Sequence, residues 1–216
     1  MTTPTGREDV IPALRGVLHA WAFWFAAAAG AVLIASAPGG TARLAAVVYA
    51  LGLCALFAGS ATYHRWRWDA RWRPLLRRVD HSTIFVFIAA SYTPVALLVL
   101  SGPLRVVVLA TVWAGALAGV GFSVLWIGAP RWLVAATYLA LGWVAVIATP
   151  QLVHRLPVAP LALLAAGGLL YSAGAVVYAL KRPNPAPRVF GFHELFHAFV
   201  IGAAVSHFVA MAVWVF

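Results

Sequence analysis

The sequence predicts an all-α integral membrane protein, a seven-transmembrane helix bundle with its N-terminus in the cytoplasm and its C-terminus outside. Three observations carry that expectation. First, 64% of the 216 residues are hydrophobic and 9% are charged, with a mean hydropathy of +0.94. A soluble domain is roughly 45–50% apolar and about 25% charged, and a water-soluble fold of this length could not hide so much apolar surface. Second, apolar stretches of about 20 residues, the length that crosses the hydrocarbon core as a helix, occur seven times. Third, the basic residues lie in the short gaps between those stretches and fall mostly on one side.

The expected spans are residues 17–37, 43–63, 82–100, 104–127, 132–151, 159–180 and 193–216. Turn formers mark the gaps: Pro38-Gly39-Gly40, Ser101-Gly102-Pro103, Gly128-Ala129-Pro130, and the linker Pro183-Asn184-Pro185-Ala186-Pro187. With gaps this short, the chain reads as a single domain over 1–216, without an internal repeat. Ala35-Ser36-Ala37 looks like a signal-peptidase site. The first apolar stretch is longer than the ~7–15 residues of a secretory core, and Glu8 and Asp9 offset the basic residues before it. It reads as a retained helix.

Alternation of the spans sorts the basic residues. Arg7, Arg15, Arg65, Arg67, Arg71, Arg73, Arg77, Arg78, Arg131, Lys181, Arg182 and Arg188 stand on the N-terminal side, against Arg43, Arg105 and Arg155 on the other. Basic loops stay in the cytoplasm, which sets the orientation and explains the formal charge of +10 without nucleic acid. Trp66, Trp68, Trp72, Trp126 and Trp132 near span ends fit an interfacial belt. The expected place is a bacterial-type plasma membrane, crossed many times. The one cysteine, Cys54, lies in an apolar run, so no disulfide forms within the chain.

Ionisable groups at membrane depth are costly and therefore mark function. His64 ends the second expected span, Asp80 precedes the third, and His193 and His197 open the seventh, so all four fall in one cytoplasmic layer. His193 and His197, at i and i+4, project from one helix face, a spacing with which two imidazoles grip one zinc ion. His64 could add a third nitrogen. Asp80 could add an oxygen or hold a water, and Ser60, one turn before His64, could hydrogen-bond a water, a substrate carbonyl or a ligand imidazole. A nitrogen-rich set without thiolates favours Zn2+ over copper(I) or iron–sulfur. Three ligands with an open position make the catalytic type of site.

The remaining histidines invite plainer readings. His19, His81 and His154 read as interfacial or hydrogen-bonded core residues, and His207, ten residues and about 15 Å beyond His197, as a buried polar contact. His193-Glu194-Leu195-Phe196-His197 also matches H-E-x-x-H, the zinc-protease signature with Glu as general base. Intramembrane proteases usually draw a third ligand, often Asp, from a later helix, and no acid follows Glu194. The only lysine, Lys181, is in a loop and cannot carry retinal in a helix. No carboxylate lies mid-span for an ion pump, and no filter motif marks a channel.

Ser60-Ala61-Thr62-Tyr63-His64, Arg78-Val79-Asp80-His81, Tyr92-Thr93-Pro94, and the stretch from His193-Glu194-Leu195-Phe196-His197 to Ser206-His207-Phe208 resemble the bacterial hemolysin III proteins. These are a branch of the progestin and adipoQ receptor family, with alkaline ceramidases more distant. The resemblance implies that His64, His193 and His197 bind zinc, that Asp80 holds a zinc-bound water, that Ser60 is the serine of the same site, and that the N-terminus is cytoplasmic. It gives Glu194 no role, and the short segment before the first span gives no expectation of hormone binding.

Two functions follow as expectations. One is a zinc hydrolase of a lipid amide or ester, ceramidase-like, working in membrane homeostasis with membrane lipids as partners and substrates. The other is a non-enzymatic sensor or regulator of membrane state in which zinc clamps the helices, with Pro94 and the proline linker as places to bend. A cytolytic pore ranks last, because the polar groups gather at one end. For the topology, alkaline phosphatase fused after Phe216 is expected to be active and the same enzyme inserted in the 183–187 linker inactive; the reverse pattern contradicts the orientation.

Overall fold

The computed structural model describes residues 11–216. Arg7, Glu8 and Asp9 of the charge argument lie outside the described residues. The described chain is helical, and seven helices are long and apolar enough to cross a membrane. In order these are α1 (Val17–Ser36), α2 (Gly40–Arg65), α3 (Arg73–Pro94) running on as a π-turn (Val95–Val99), α4 (Gly102–Leu125), the pair α5 (Arg131–Gly142) and α6 (Ala145–Arg155), α7 (Val158–Leu180), and α8 (Phe192–Ala210) with a π-turn (Met211–Val215). Hydrocarbon offers the backbone no hydrogen-bond partner, so helices that satisfy their own peptide groups are the available solution. Their outer faces carry Trp24, Phe25, Leu51, Leu117 and Leu125 exposed to the surroundings. Trp66, Trp72, Trp126 and Trp132 are exposed at the basic end, as an interfacial belt requires.

Two expected boundaries are corrected. The third span begins at Arg73 rather than Ser82. Pro74 sits in its first turn, where a missing N–H costs nothing and the fixed φ suits a helix start. The helix thus runs through the polar stretch 73–81, which hydropathy assigns to the gap. Asp80 therefore does not precede the third span; it lies two turns inside it and is 8% exposed. The fifth span is broken at Trp143–Val144 into α5 and α6. The Tyr92 hydroxyl patches the break, accepting from Ala145 N–H at 2.7 Å and donating to the Gly142 carbonyl, so the freed peptide groups are not left bare in an apolar medium. Pro94 does mark a change of helix geometry: beyond it the Leu100 N–H reaches back five residues to the Val95 carbonyl at 3.0 Å.

Helix packing closes a ring. α1 packs on α2, α2 on α3, α3 on α5, α5 on α7, α7 on α8 and α8 on α1, while α4 packs chiefly on α3 and also touches α5 and α6. Lipid tails are as apolar as the helix faces, so close approach through small residues rather than water exclusion holds such helices together. At the α2–α3 crossing a Cβ on Gly52 would come within 2.5 Å of the Ala90 Cβ. Gly52→Val forces these helices apart and is expected to destabilise by about 1–3 kcal/mol, read as a lower Tm in detergent. Gly121→Ala, with open space around it, is expected to be neutral or slightly stabilising as a helix-interior replacement. Equal melting temperatures for the Gly52 variant and wild type would contradict the packing account.

Candidate metal centre

The alternation of the helices puts the C-terminal end of α2 beside the N-terminal ends of α1, α3 and α8, all at the basic end of the bundle. His64 stands in the last turn of α2, and His193 and His197 in the first two turns of α8. The His64 and His193 Nε2 atoms are 3.0 Å apart, and one ligand atom from each of the three histidines lies within 4.8 Å of the others. A tetrahedral zinc with Zn–N bonds of 2.0–2.1 Å sets its nitrogens about 3.3 Å apart. Asp80 joins from α3, its Oδ2 3.5 Å from His64 Nε2. Four of the residues singled out from sequence thus converge. Ser60, 3% exposed on α2, lines the same cavity but makes no hydrogen bond to these four.

The donor set fits a metal ion. Imidazole nitrogens at van der Waals or hydrogen-bond distance from one another, deep in the protein, satisfy each other poorly when all are neutral. His197 Nδ1 has no hydrogen-bond partner among the described residues. A divalent cation resolves the crowding by taking one lone pair from each ring. The three histidines could therefore hold such an ion, with Asp80 at its edge.

The site is closed on the basic side by several ties. Arg15, just before α1, pairs with Glu194 through Nε and Oε1 at 2.7 Å, and the Glu194 side chain is 1% exposed. The other Glu194 oxygen accepts the Gly191 N–H at 2.9 Å, capping α8 where its positive dipole end favours an anion. Burial lowers the Arg15 pKa from its ordinary value, and the Glu194 carboxylate opposes that shift. Both Glu194 oxygens are thus engaged away from the cavity, which leaves the H-E-x-x-H glutamate as a helix cap rather than a base. The Ala13 and Leu14 N–H groups donate to the Arg188 and Val189 carbonyls at 2.9 and 3.1 Å, strapping the chain before α1 onto the linker before α8. Gly16 turns the chain at φ +73°, where a Cβ would come within 2.9 Å of the His64 Cβ. Only a glycine lets that strap lie against the ligand histidine.

Below the histidine layer lies a cavity of about 590 Å³. Along α8 its lining runs from His193 to Met211, about 27 Å at helical rise, past Leu56, Ile88 and Val200 to Leu100 and Val108. Val146 and Val153 of α6 and Leu169 of α7 both line it and are exposed, so it opens sideways between these helices.

The other histidines divide. His154 is exposed near the far end, and His207 Nε2 lies 3.1 Å from the Leu164 carbonyl, the polar contact expected for it. His81 lines the cavity. His19 departs from the sequence reading: it is 2% exposed and its ring stacks on His197, centroids 3.8 Å apart and planes 13° from parallel. The signal that could have found it is the layer argument itself, because the third residue of a cytoplasm-starting α1 lies at the depth of His64.

A family model described as Haemolysin-III related matches residues 10–208. Hemolysin-3 homolog of Bacillus subtilis (strain 168) is 32% identical over 163 residues, 74% of this chain and 72% of the relative. Hemolysin-3 of Bacillus cereus is 31% identical over 177 residues, covering 81% and 77%. The human monocyte to macrophage differentiation factor is 30% identical over 176 residues, covering 78% and 69%. The match along nearly the whole chain makes this multi-pass membrane protein a member of the hemolysin III family.

Proposed function

We propose that the protein is a zinc-dependent hydrolase of a lipid amide or ester, with its reacting centre at the cytoplasmic edge of the membrane. The observation that carries this reading is the continuity of the three-histidine cluster and Asp80 with a long apolar cavity that opens sideways between α6 and α7. A polar centre at the head of an apolar slot matches a molecule with a polar carbonyl on a long hydrocarbon chain.

His64, His193 and His197 would hold the ion. Bound zinc supplies Lewis acidity toward a carbonyl and makes a water acidic enough to ionise near neutral pH. Asp80 takes the proton from the attacking water and passes it to the leaving amine or alkoxide as the acyl bond breaks. The Ser60 hydroxyl donates to the carbonyl oxygen as negative charge develops there. Leu56, Ile88 and Val200 enclose the chain of the substrate and exclude water. The arginines of residues 65–78 draw anionic headgroups to this face.

A second reading has its own support. α2 and α8 approach each other at few places, and the histidines are one of them. An ion there would clamp the bundle whether or not it catalyses, as in a sensor of membrane state.

Turnover by purified, metal-replete protein on a panel of N-acyl and O-acyl lipids separates the two. Asp80→Asn is expected to lower the rate by about 10²–10⁴-fold with metal content unchanged. Glu194→Gln is expected to lower the melting temperature while leaving the metal and the rate within about threefold, since that acid caps α8. No turnover on any lipid, together with an Asp80→Asn variant that supports cell function fully, would overturn the hydrolase. For the clamp, stripping the metal with a chelator lowers the melting temperature and each histidine substitution outweighs Asp80→Asn; an unchanged melting temperature removes it.

A further inference from the structure

We propose that His19 is a positioning residue of this centre: its ring, stacked on His197, sets the plane in which that imidazole meets His64 and His193. The proposal rests on the metal-site reading above and deepens it.

A histidine that ligates a metal is normally held by a hydrogen bond from its second ring nitrogen to a carboxylate, carbonyl or water, which fixes both tautomer and ring orientation. His197 lacks that device: no side-chain hydrogen bond holds its ring among the described residues, and its Nδ1 is buried without a partner. The torsion that turns an imidazole about its Cβ–Cγ bond has broad minima, so an unheld ring would sweep its ligand nitrogen away from the other two. The neighbours are arranged to prevent this. His19 lies flat on His197, 3.8 Å away and 13° from parallel, while His193 and His64 meet the same ring edge-on at 4.5 and 5.3 Å. Phe57 of α2 in turn holds His19 edge-on at 5.1 Å. His19 is 2% exposed and neither of its nitrogens finds a hydrogen-bond partner among the described residues, so its ring face is what it offers the site. Through this stack α1, which supplies none of the three ligands, takes part in the centre that joins α2 to α8.

The test uses the full chain in detergent as wild type, His19→Leu and His19→Phe. Leucine keeps bulk and removes the flat ring; phenylalanine keeps the ring and removes the nitrogens. Two readouts follow positioning rather than folding: Zn2+ affinity by chelator competition, and the visible absorption of bound Co2+, which reports ligand geometry. The melting temperature of the metal-free forms shows that each variant folds. His19→Leu is expected to bind Zn2+ about 10–100-fold more weakly, as loss of a supporting partner does, with an altered Co2+ band. His19→Phe restores both. A leucine variant with wild-type affinity and spectrum overturns the proposal, and so does a folded phenylalanine variant that binds as weakly as the leucine one. Where the leucine variant does not fold, the phenylalanine variant against wild type decides by the same criterion. Wild type that takes up neither metal overturns the metal-site reading itself, and the proposal with it.

Discussion

Imidazoles and a carboxylate packed at membrane depth must find partners among themselves, because hydrocarbon can neither hydrogen-bond nor solvate them. Everything distinctive about this bundle follows from how it meets that constraint. His19, His64, Asp80, His193 and His197 are gathered into one layer where the ends of four helices meet, and the histidine nitrogens are left with each other and Asp80 as neighbours. Such an arrangement is unfavourable for the protein alone. With a cation at its centre, the same crowding becomes a coordination shell.

The supporting structure serves that layer. Gly16 lets the chain before α1 lie against His64, the backbone of residues 13–14 binds the linker before α8, and Arg15 with Glu194 locks the start of α8. These ties fix the three ligand-bearing turns relative to one another from the basic side. On the other side the layer faces an apolar slot that reaches most of the way down the bundle. The break between α5 and α6 lies along the wall of that slot, and Tyr92 from α3 repairs its hydrogen bonding.

Hydropathy and charge alternation revealed the seven spans and placed His64, Asp80, His193 and His197 in one layer, because both arguments depend on depth alone, which a linear pattern records well. Features set by helix-to-helix contact were hidden. The start of α3 was missed because a hydropathy window tracks apolar residues, whereas a helix opened by Pro74 continues through arginines that snorkel to the interface. Nothing in the apolar run around Trp143 announces a break whose hydrogen bonds are completed by a tyrosine 50 residues away. His19 reads from sequence as an ordinary interfacial or core histidine because a lone histidine in an apolar helix has no spacing partner in its own segment, and its partner, His197, lies on α8. Glu194 looked like part of a protease motif, and only the positions of Arg15 and the Gly191 N–H show it to be a cap.

The central claim is that three histidines from two helices form one metal centre. Elemental analysis of gently purified protein, wild type beside His64→Ala, His193→Ala and His197→Ala, tests it most directly. The account predicts about one zinc per chain in the wild type, as a single three-ligand site requires, and little or none in each variant. A wild type free of metal, or variants that keep it, would contradict the account.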